Sequence, residues 1–591
     1  MSRRQEAGVA SWRDRPFDDA ELQNFIDERR RATVARRSSF VLVAGRRAIA
    51  GGRGLATRFR HKAADVGLVE AVRVSARFVG ERARAHDAEQ REISGLVAGH
   101  VDPMAVVSDR LSVAASALGL RPSTSESTSD LLATLVQSAR AEPRSSAAWL
   151  LIIAVTGAMP RHDDVVEVQR AIELEASTSG AARAALAVLG SLRWSTVAFT
   201  REMRIATSRT LVDVTLSART DHNTGIQRVV RALSKQWNTE QAVDFVVWDD
   251  GDAILRHVSE SERHRLLHWG GDTEAAVGDS AAASLPIVVP FDCAVVVAEV
   301  PAMDASERLG AAARHGAVTL HAIGYDTIPI VSAHLLPPYE AEKFASYLGM
   351  ITHAASVAAI SETAAEEFRG FAAALAAQNL EGPRVTTVVL PTLVSRGPAS
   401  VGQPDRSPPL VLAVGSHEPR KNHTALLFAA EVLWREGLEF EVELIGRGSS
   451  EFIAQFDRMV RRLQVEGRPV LTRREVDDHD LERSYRDAFV TVFTSLHEGF
   501  GLPIVESLAC GTPVITTDYG STREVAMGGG CVLIDPRDDR ALVDALRRVL
   551  TEPGLRLRLR LSEEARSRPI RTWADYAEEL RLSIDGPVNT A

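Results

Sequence analysis

Glu498-Gly499-Phe500-Gly501-Leu502-Pro503-Ile504-Val505-Glu506 stands a few residues beyond an apolar run, Phe489-Val490-Thr491-Val492-Phe493. That run has the length and the β-branched and aromatic content of a buried strand. Thr494-Ser495-Leu496-His497 carries the chain from it into the quoted stretch. Two glycines around Phe500 make a turn whose backbone N–H groups can approach a ligand closely, and Pro503 stands where a helix starts. Strand, glycine turn and helix in that order describe an anion cradle at the carboxyl end of a strand, where open α/β sheets bind ligands. With a helix from Pro503, Glu506 is expected in the first turn, on the side of the loop that carries Glu498, so that two carboxylates face one pocket. Carboxylates are poor partners for phosphate and suit hydroxyls, so one is expected to meet a ribose and the other a transferred sugar. A capping role for Glu498 and a helix-dipole role for Glu506 would explain either residue alone, and account less well for the pair beside the glycines.

Upstream, Leu410-Val411-Leu412-Ala413-Val414-Gly415 reads as a second buried strand, delivering Ser416-His417-Glu418-Pro419-Arg420-Lys421-Asn422-His423 onto a helix with Asn422 as its N-cap. Cations beside a helix N-terminus oppose its dipole, so Arg420 and Lys421 make sense if a polyanion such as a diphosphate sits there too. Arg grips phosphate oxygens as a fork and Lys acts as a compact charge. Of 69 basic residues only Lys62, Lys235, Lys343 and Lys421 are lysine, which singles this one out. An exposed basic pair on a loop is the competing reading.

Apolar runs alternating with helical stretches begin near residue 209: Leu211–Leu216, Phe245–Trp248, Ala294–Ala298, Ala317–Ile323, Val357–Ile360 and Val385–Leu390. They resume at Leu410–Val414, Val442–Ile445, Val490–Phe493, Pro513–Thr517 and Cys531–Ile534. Such alternation predicts βαβ units and parallel sheets. The expected fold class is α/β: a Rossmann-like domain over 205–395, a linker over 396–408, a second Rossmann-like domain over 409–570 across a cleft, and a helix over 571–585 that crosses back. Residues 1–200 read as a mostly helical region. Its segment 29–62 holds eleven Arg and Lys and no acidic residue, which suits either a solvated arm or peripheral contact with an anionic membrane surface. Ser123–Ser129 is a second linker candidate.

These motifs carry a resemblance. Val414-Gly415 through Lys421-Asn422, Leu444-Ile445-Gly446, the stretch from Glu498 to Val514, and Gly520-Ser521-Thr522-Arg523-Glu524 are similar to the donor domain of glycosyltransferase family 4. Strand 211–216 leads into Thr224-Gly225-Ile226-Gln227-Arg228-Val229, which resembles the glycine loop of one subgroup, and Ala359-Ile360-Ser361-Glu362-Thr363 resembles that family's strand-to-helix segment. The resemblance spans roughly residues 209–585. It implies a GT-B fold and metal-independent transfer of a hexose from a nucleotide diphosphate sugar, with retention, to a glycan or lipid-linked acceptor. It also implies roles. Arg420 and Lys421 would bind the diphosphate, Glu498 the donor sugar and Glu506 the ribose, and the Gly499, Phe500 and Gly501 amides and Leu502 would line the donor with Gly225 and Gly415. Asp326 would serve the acceptor side, although Tyr325-Asp326 stands where many relatives have His-Asp; His321 is the other candidate there, with a core role its plainer reading. No metal and no cofactor are implied, and GDP-mannose is the first donor that the subgroup suggests.

Bulk properties agree with that reading. The chain has 591 residues, 45% of them hydrophobic, enough for two or three domains. A net charge of −9 argues against nucleic acid as a partner. Cys293, Cys510 and Cys531 lie in apolar runs without metal-ligand spacing and read as reduced core thiols, and no run nears the ~20 apolar residues of a membrane span, so a cytoplasmic protein is expected, with a peripheral place on the inner membrane face as the alternative. Gly446-Arg447-Gly448 is only a partial dinucleotide fingerprint, and no GxxxxGK[ST] occurs. A GT-B phosphorylase or epimerase, and a non-catalytic module that binds sugar nucleotides or proteins, stay open as alternatives.

Overall fold

The computed structural model describes residues 15–32, 102–121, 126–142, 146–195, 198–220, 223–240, 243–249, 253–269, 282–392, 407–448, 450–474, 476–569 and 571–585. Most of the basic segment 29–62, most of the linker 396–408 and part of the Ser123–Ser129 stretch therefore lie outside the described residues.

Among the described residues, six helices come first: residues 19–32, then Pro103–Ala117, Thr128–Ala141, Ala147–Thr156, His162–Glu173 and Thr178–Ser191. Sequence chemistry marks their starts. Asp102, Ser127 and Ser177 each accept a backbone N–H from the first turn, satisfying one of the orphan donors there. Ala147–Thr156 is apolar on every face and all ten of its residues are buried, as an all-round apolar helix in a soluble fold must be.

The first sheet has nine strands: β1 (Met203–Ala206), β2 (Thr210–Asp213), β3 (Val243–Asp249), β4 (Ile254–His257), β5 (Ile287–Pro290), β6 (Cys293–Val297), β7 (Val318–Gly324), β8 (Ser356–Ala359) and β9 (Arg384–Thr387). Their order is β1-β5-β4-β3-β2-β6-β7-β8-β9. The expectation of a purely parallel sheet is corrected here, because β4 runs antiparallel to both β3 and β5. Only a few residues join β3 to β4, far fewer than a crossover helix needs. The strand expected over 211–216 ends at Asp213, whose carboxylate accepts Thr215 N–H at 3.1 Å and turns the chain into the short helix Thr215–Arg219.

The helical region does not stand apart from the first sheet. A single apolar cluster runs from Leu22 and Trp149 in the helices to Val288, Leu309, Leu320 and Phe368 in the sheet layers. The helical region therefore covers a face of the first sheet and shares its core. Arg110 fastens the two: it is fully buried and donates to the carbonyls of Ala198 (2.7 Å) and Arg201 (3.1 Å). Burial pulls its guanidinium down to about 9.

The second sheet contains β10 (Leu410–Val414), β11 (Glu441–Ile445), β12 (Val470–Arg473), β13 (Val490–Phe493), β14 (Val514–Thr517) and β15 (Cys531–Ile534), all parallel. Its order, β12-β11-β10-β13-β14-β15, is the doubly wound 3-2-1-4-5-6 arrangement. The connection reverses direction between β10 and β13, which opens a crevice above their carboxyl ends. The last helix, Trp573–Asp585, returns to the first sheet, where Ser583 O accepts from Arg384 Nη2 at 2.6 Å and Ser583 Oγ lies 2.6 Å from Thr386 Oγ1.

Cys293 is buried and Cys510 and Cys531 are partly buried; all three are free thiols, pushed up to between about 11 and about 12 by burial. No helix among the described residues is long and apolar enough to cross a membrane.

Candidate functional site

The loops after β10 and β13 meet at the switch point. After Gly415 the chain makes a 3-10 turn over Pro419–Lys421, then Asn422 steps through the left-handed region at φ 52° before the helix His423–Arg435. Asn422 thus holds the expected N-cap position but makes no side-chain cap bond; its value is the tolerance of Asn for that backbone conformation. Gly415 lets Lys421 lie across it, with Lys421 Cδ 3.5 Å from where a Cβ would stand. The two loops are stitched together by Leu496 N–H donating to Arg420 O (2.8 Å) and Arg420 Nη1 to His497 O (2.8 Å).

Glu498 is the meeting point. Its Oε1 lies 2.5 Å from Lys421 Nζ and 3.0 Å from Arg420 Nη1, and all three side chains are largely buried. Burial pushes the Glu498 carboxyl up, but the charges of Arg420 and Lys421 outweigh it and hold the group at about 2. Burial pulls Lys421 below its ordinary value, against the raising effect of Glu498. Burial also works against Arg420, yet the nearby carboxylates, led by Glu498 and Asp326, keep it raised. Two cations thus share one carboxylate at the mouth of the crevice.

The first sheet's loops close over this centre. Asp326, one residue beyond Tyr325 at the end of β7, accepts Ile328 N–H at 3.0 Å, and burial raises its carboxyl while Arg420 opposes the rise. Tyr325 turns inward and donates to Ala298 O at 2.8 Å, so Asp326 is the polar group of the pair on the cleft side. His321 is a core residue, 2.8 Å from Ser356 Oγ across β7 and β8. Gly499 presses against the Tyr325 carbonyl so closely that a Cβ would come within 2.2 Å of it. Gly499 O accepts from Ser361 Oγ at 2.6 Å, and Ser361 also caps the helix Glu362–Ala376. Gly501, at φ 111°, is the N-cap of the helix Leu502–Ala509. Phe500 has its ring in the apolar cluster that includes Tyr325 and Ala359, and Leu502 packs 3.5 Å from the position of a Gly225 Cβ.

Several contributors were invisible in the sequence. His497 bridges the cleft, its Nδ1 2.8 Å from Ser332 Oγ and its Nε2 2.7 Å from Glu367 Oε1. Glu524 accepts the backbone N–H groups of Glu362 (2.9 Å) and Thr363 (3.1 Å), capping from one domain a helix of the other. Adjacency to Glu498 was the only available signal for His497, while Glu524 and Ser361 lay within segments already singled out.

Glu506 differs from expectation in its surroundings. The helix begins at Leu502, so Glu506 is its fifth residue and lies beyond the first turn. It is fully buried, Oε2 accepts from Tyr485 OH at 2.9 Å, and Oε1 lies 2.8 Å from Arg228 Nη2, which reaches over from the first domain. Glu498 and Glu506 therefore have separate partners.

Residues 400–568 match the family model of glycosyl transferases group 1. The match takes in both loops of the crevice, Arg420 and Lys421 on one and Glu498 on the other, and Glu506 on the helix behind. Among curated proteins, the serotype-specific mannosyltransferase WbdA of Escherichia coli is 23% identical over 338 residues, covering 54% of this chain and 40% of that protein. The D-inositol 3-phosphate glycosyltransferase of Frankia alni is 35% identical over 162 residues, or 26% of this chain and 40% of that one. The chain thus spans about two fifths of the length of the curated relatives it matches. Among solved structures, Anabaena HepE in complex with UDP and glucose aligns with a TM-score of 0.44 at 14% identity, over 64% of this chain and 100% of that one.

Proposed function

We propose that the protein is a retaining hexosyltransferase that moves a sugar, mannose first among the candidates, from a nucleotide diphosphate sugar to a glycan or lipid-linked acceptor. The observation that carries this reading is the cation pair Arg420 and Lys421 held on Glu498 at a topological switch point, facing Asp326. Transfer breaks the bond between the anomeric carbon and the diphosphate oxygen, and negative charge grows on the departing group. Two preorganised cations in a water-poor crevice stabilise that charge far better than solvent does. The acceptor hydroxyl attacks from the face the leaving group vacates and gives its proton to the departing phosphate oxygen. Glu498 keeps the cations apart and aligned and offers its second oxygen to a sugar hydroxyl. Asp326 orients the acceptor. Mannose is supported by the similarity to the mannosyltransferase WbdA of Escherichia coli.

The test is sugar transfer, and donor hydrolysis without acceptor, from a panel of GDP- and UDP-sugars preselected by thermal shift. Arg420→Ala and Lys421→Ala are expected to lower turnover by about two orders of magnitude, as loss of one charge-stabilising contact does. Near-normal transfer in either variant sinks the assignment. Tight donor binding with neither transfer nor hydrolysis would instead mark a non-catalytic sugar-nucleotide module. The basic segment's part in membrane contact is a separate proposal; within its described start, Arg29 already donates to the Gly190 carbonyl inside the helical layer.

A further inference from the structure

Glu506 is a carboxylate with no exposure to solvent, and an ionised group in that position needs a counter-charge. Among the described residues no ion pair joins it to a cation of its own domain. The groups that face it there are the Tyr485 hydroxyl, 2.9 Å from Oε2, and the Cys510 thiol, and a further acid, Asp478, lies near the guanidinium side of the pair. Among the described residues the cation paired with Glu506 is Arg228, at 2.8 Å from the opposite side of the cleft. Arg228 is the fourth residue of the helix Gly225–Glu240, and its N–H closes the first turn on Thr224 O at 3.0 Å. The guanidinium is thus anchored to the first domain while its charge serves the second. Oε1 has a second lone pair, so it can accept a hydroxyl while Arg228 stays in place.

We infer that Arg228 is a positioning residue of the nucleotide site: by supplying from the first domain the counter-charge that Glu506 lacks in the second, it makes the ribose-reading carboxylate competent only when the two domains are closed. This rests on the reading of the cleft as a nucleotide diphosphate site. Domain closure and nucleotide affinity are then two aspects of one ion pair.

Isothermal titration of the full chain with GDP and with UDP tests it. Arg228→Gln is expected to weaken binding at least about tenfold at pH 7, equivalent to one pKa unit of differential interaction. Arg228→Lys restores most of the affinity. In a Glu506→Gln background Arg228→Gln changes affinity less than about twofold, because the charge it served is gone. Parent-like binding by Arg228→Gln overturns the inference. So does an equal loss in the Glu506→Gln background, which would mean that the guanidinium touches the nucleotide or only props the fold. Should Arg228→Gln fail to fold, the comparison of Arg228→Lys with the parent, and of Glu506→Gln with its double variant, decides the matter. If the parent chain binds neither GDP nor UDP, the cleft reading itself falls.

Discussion

Lys421 and Glu498 are each set by the other. Burial works against the charge on both; at 2.5 Å each favours the charged form of the other. Because Glu498 titrates at about 2, it stays ionised throughout the working range of an enzyme and contributes no acidic limb to a pH–rate profile. Lys421 is the vulnerable partner. Glu498→Gln removes the main influence that raises it and leaves burial and Arg420 to lower it, so the alkaline limb of turnover is expected to move to lower pH in that variant. An alkaline limb in the same place as the parent's would show that Lys421 is not the group being titrated. At this scale the sequence was informative: the scarcity of lysine singled out Lys421, and the spacing from Glu498 to Glu506 suggested a pair. It could not show which protein groups each acid meets, since Glu498 lies on the loop and Glu506 on the helix after Gly501, and their partners come from distant segments.

At the scale of elements, the strand-to-helix loops explain why the glycines are where they are. The Gly499 position is set less by a turn requirement than by the Tyr325 carbonyl pressing against it from the other domain. Gly499→Ala would place a methyl group 2.2 Å from that oxygen, a contact neither backbone can absorb, so the domains must part. The expected result is a loss of transfer activity of one to two orders of magnitude, roughly the cost of misplacing catalytic groups by an ångström, with little change in thermal midpoint. A marked fall in the midpoint together with retained activity would assign Gly499 to stability instead. Strands over 410–414, 490–493 and 531–534 have the bounds their apolar runs predicted; the first two are buried almost throughout, and the third is a partly exposed edge strand. Strands β1, β4, β5 and β12 were not legible: they are four residues each, and β1, β4 and β12 carry Arg among their apolar residues, so periodicity had nothing to count.

For the whole molecule, the main surprise is that the helical layer is part of the first α/β domain's core. Trp149 is fully buried in the central helix, and its ring lies against Gly316, at the end of the helix Met303–His315 in the sheet layer. Trp149→Ala is expected to cost about 3–5 kcal/mol, and helices and first sheet should unfold together. The check is thermal unfolding followed both by calorimetry and by limited proteolysis within 102–195. A helical layer released while the first sheet stays folded would contradict the shared core. The sequence suggested a separate helical region because periodicity reports which face of a helix is apolar, and not what that face will meet.

The sequence by itself determined the α/β class of the chain from about residue 209 onward, the loops after β10 and β13, and the residue types that gather charge there. Those features are local, fixed by runs of apolar residues, glycines and a proline within a dozen positions of one another. Tertiary structure alone decided that β4 reverses, that the helices share a core with the first sheet, and that Asp326, His497, Glu524 and Arg228 each act across the cleft. These pairings join residues from about 90 to nearly 280 positions apart, as Asp326 to Arg420 and Arg228 to Glu506 do, and no pattern within a window of sequence carries that distance.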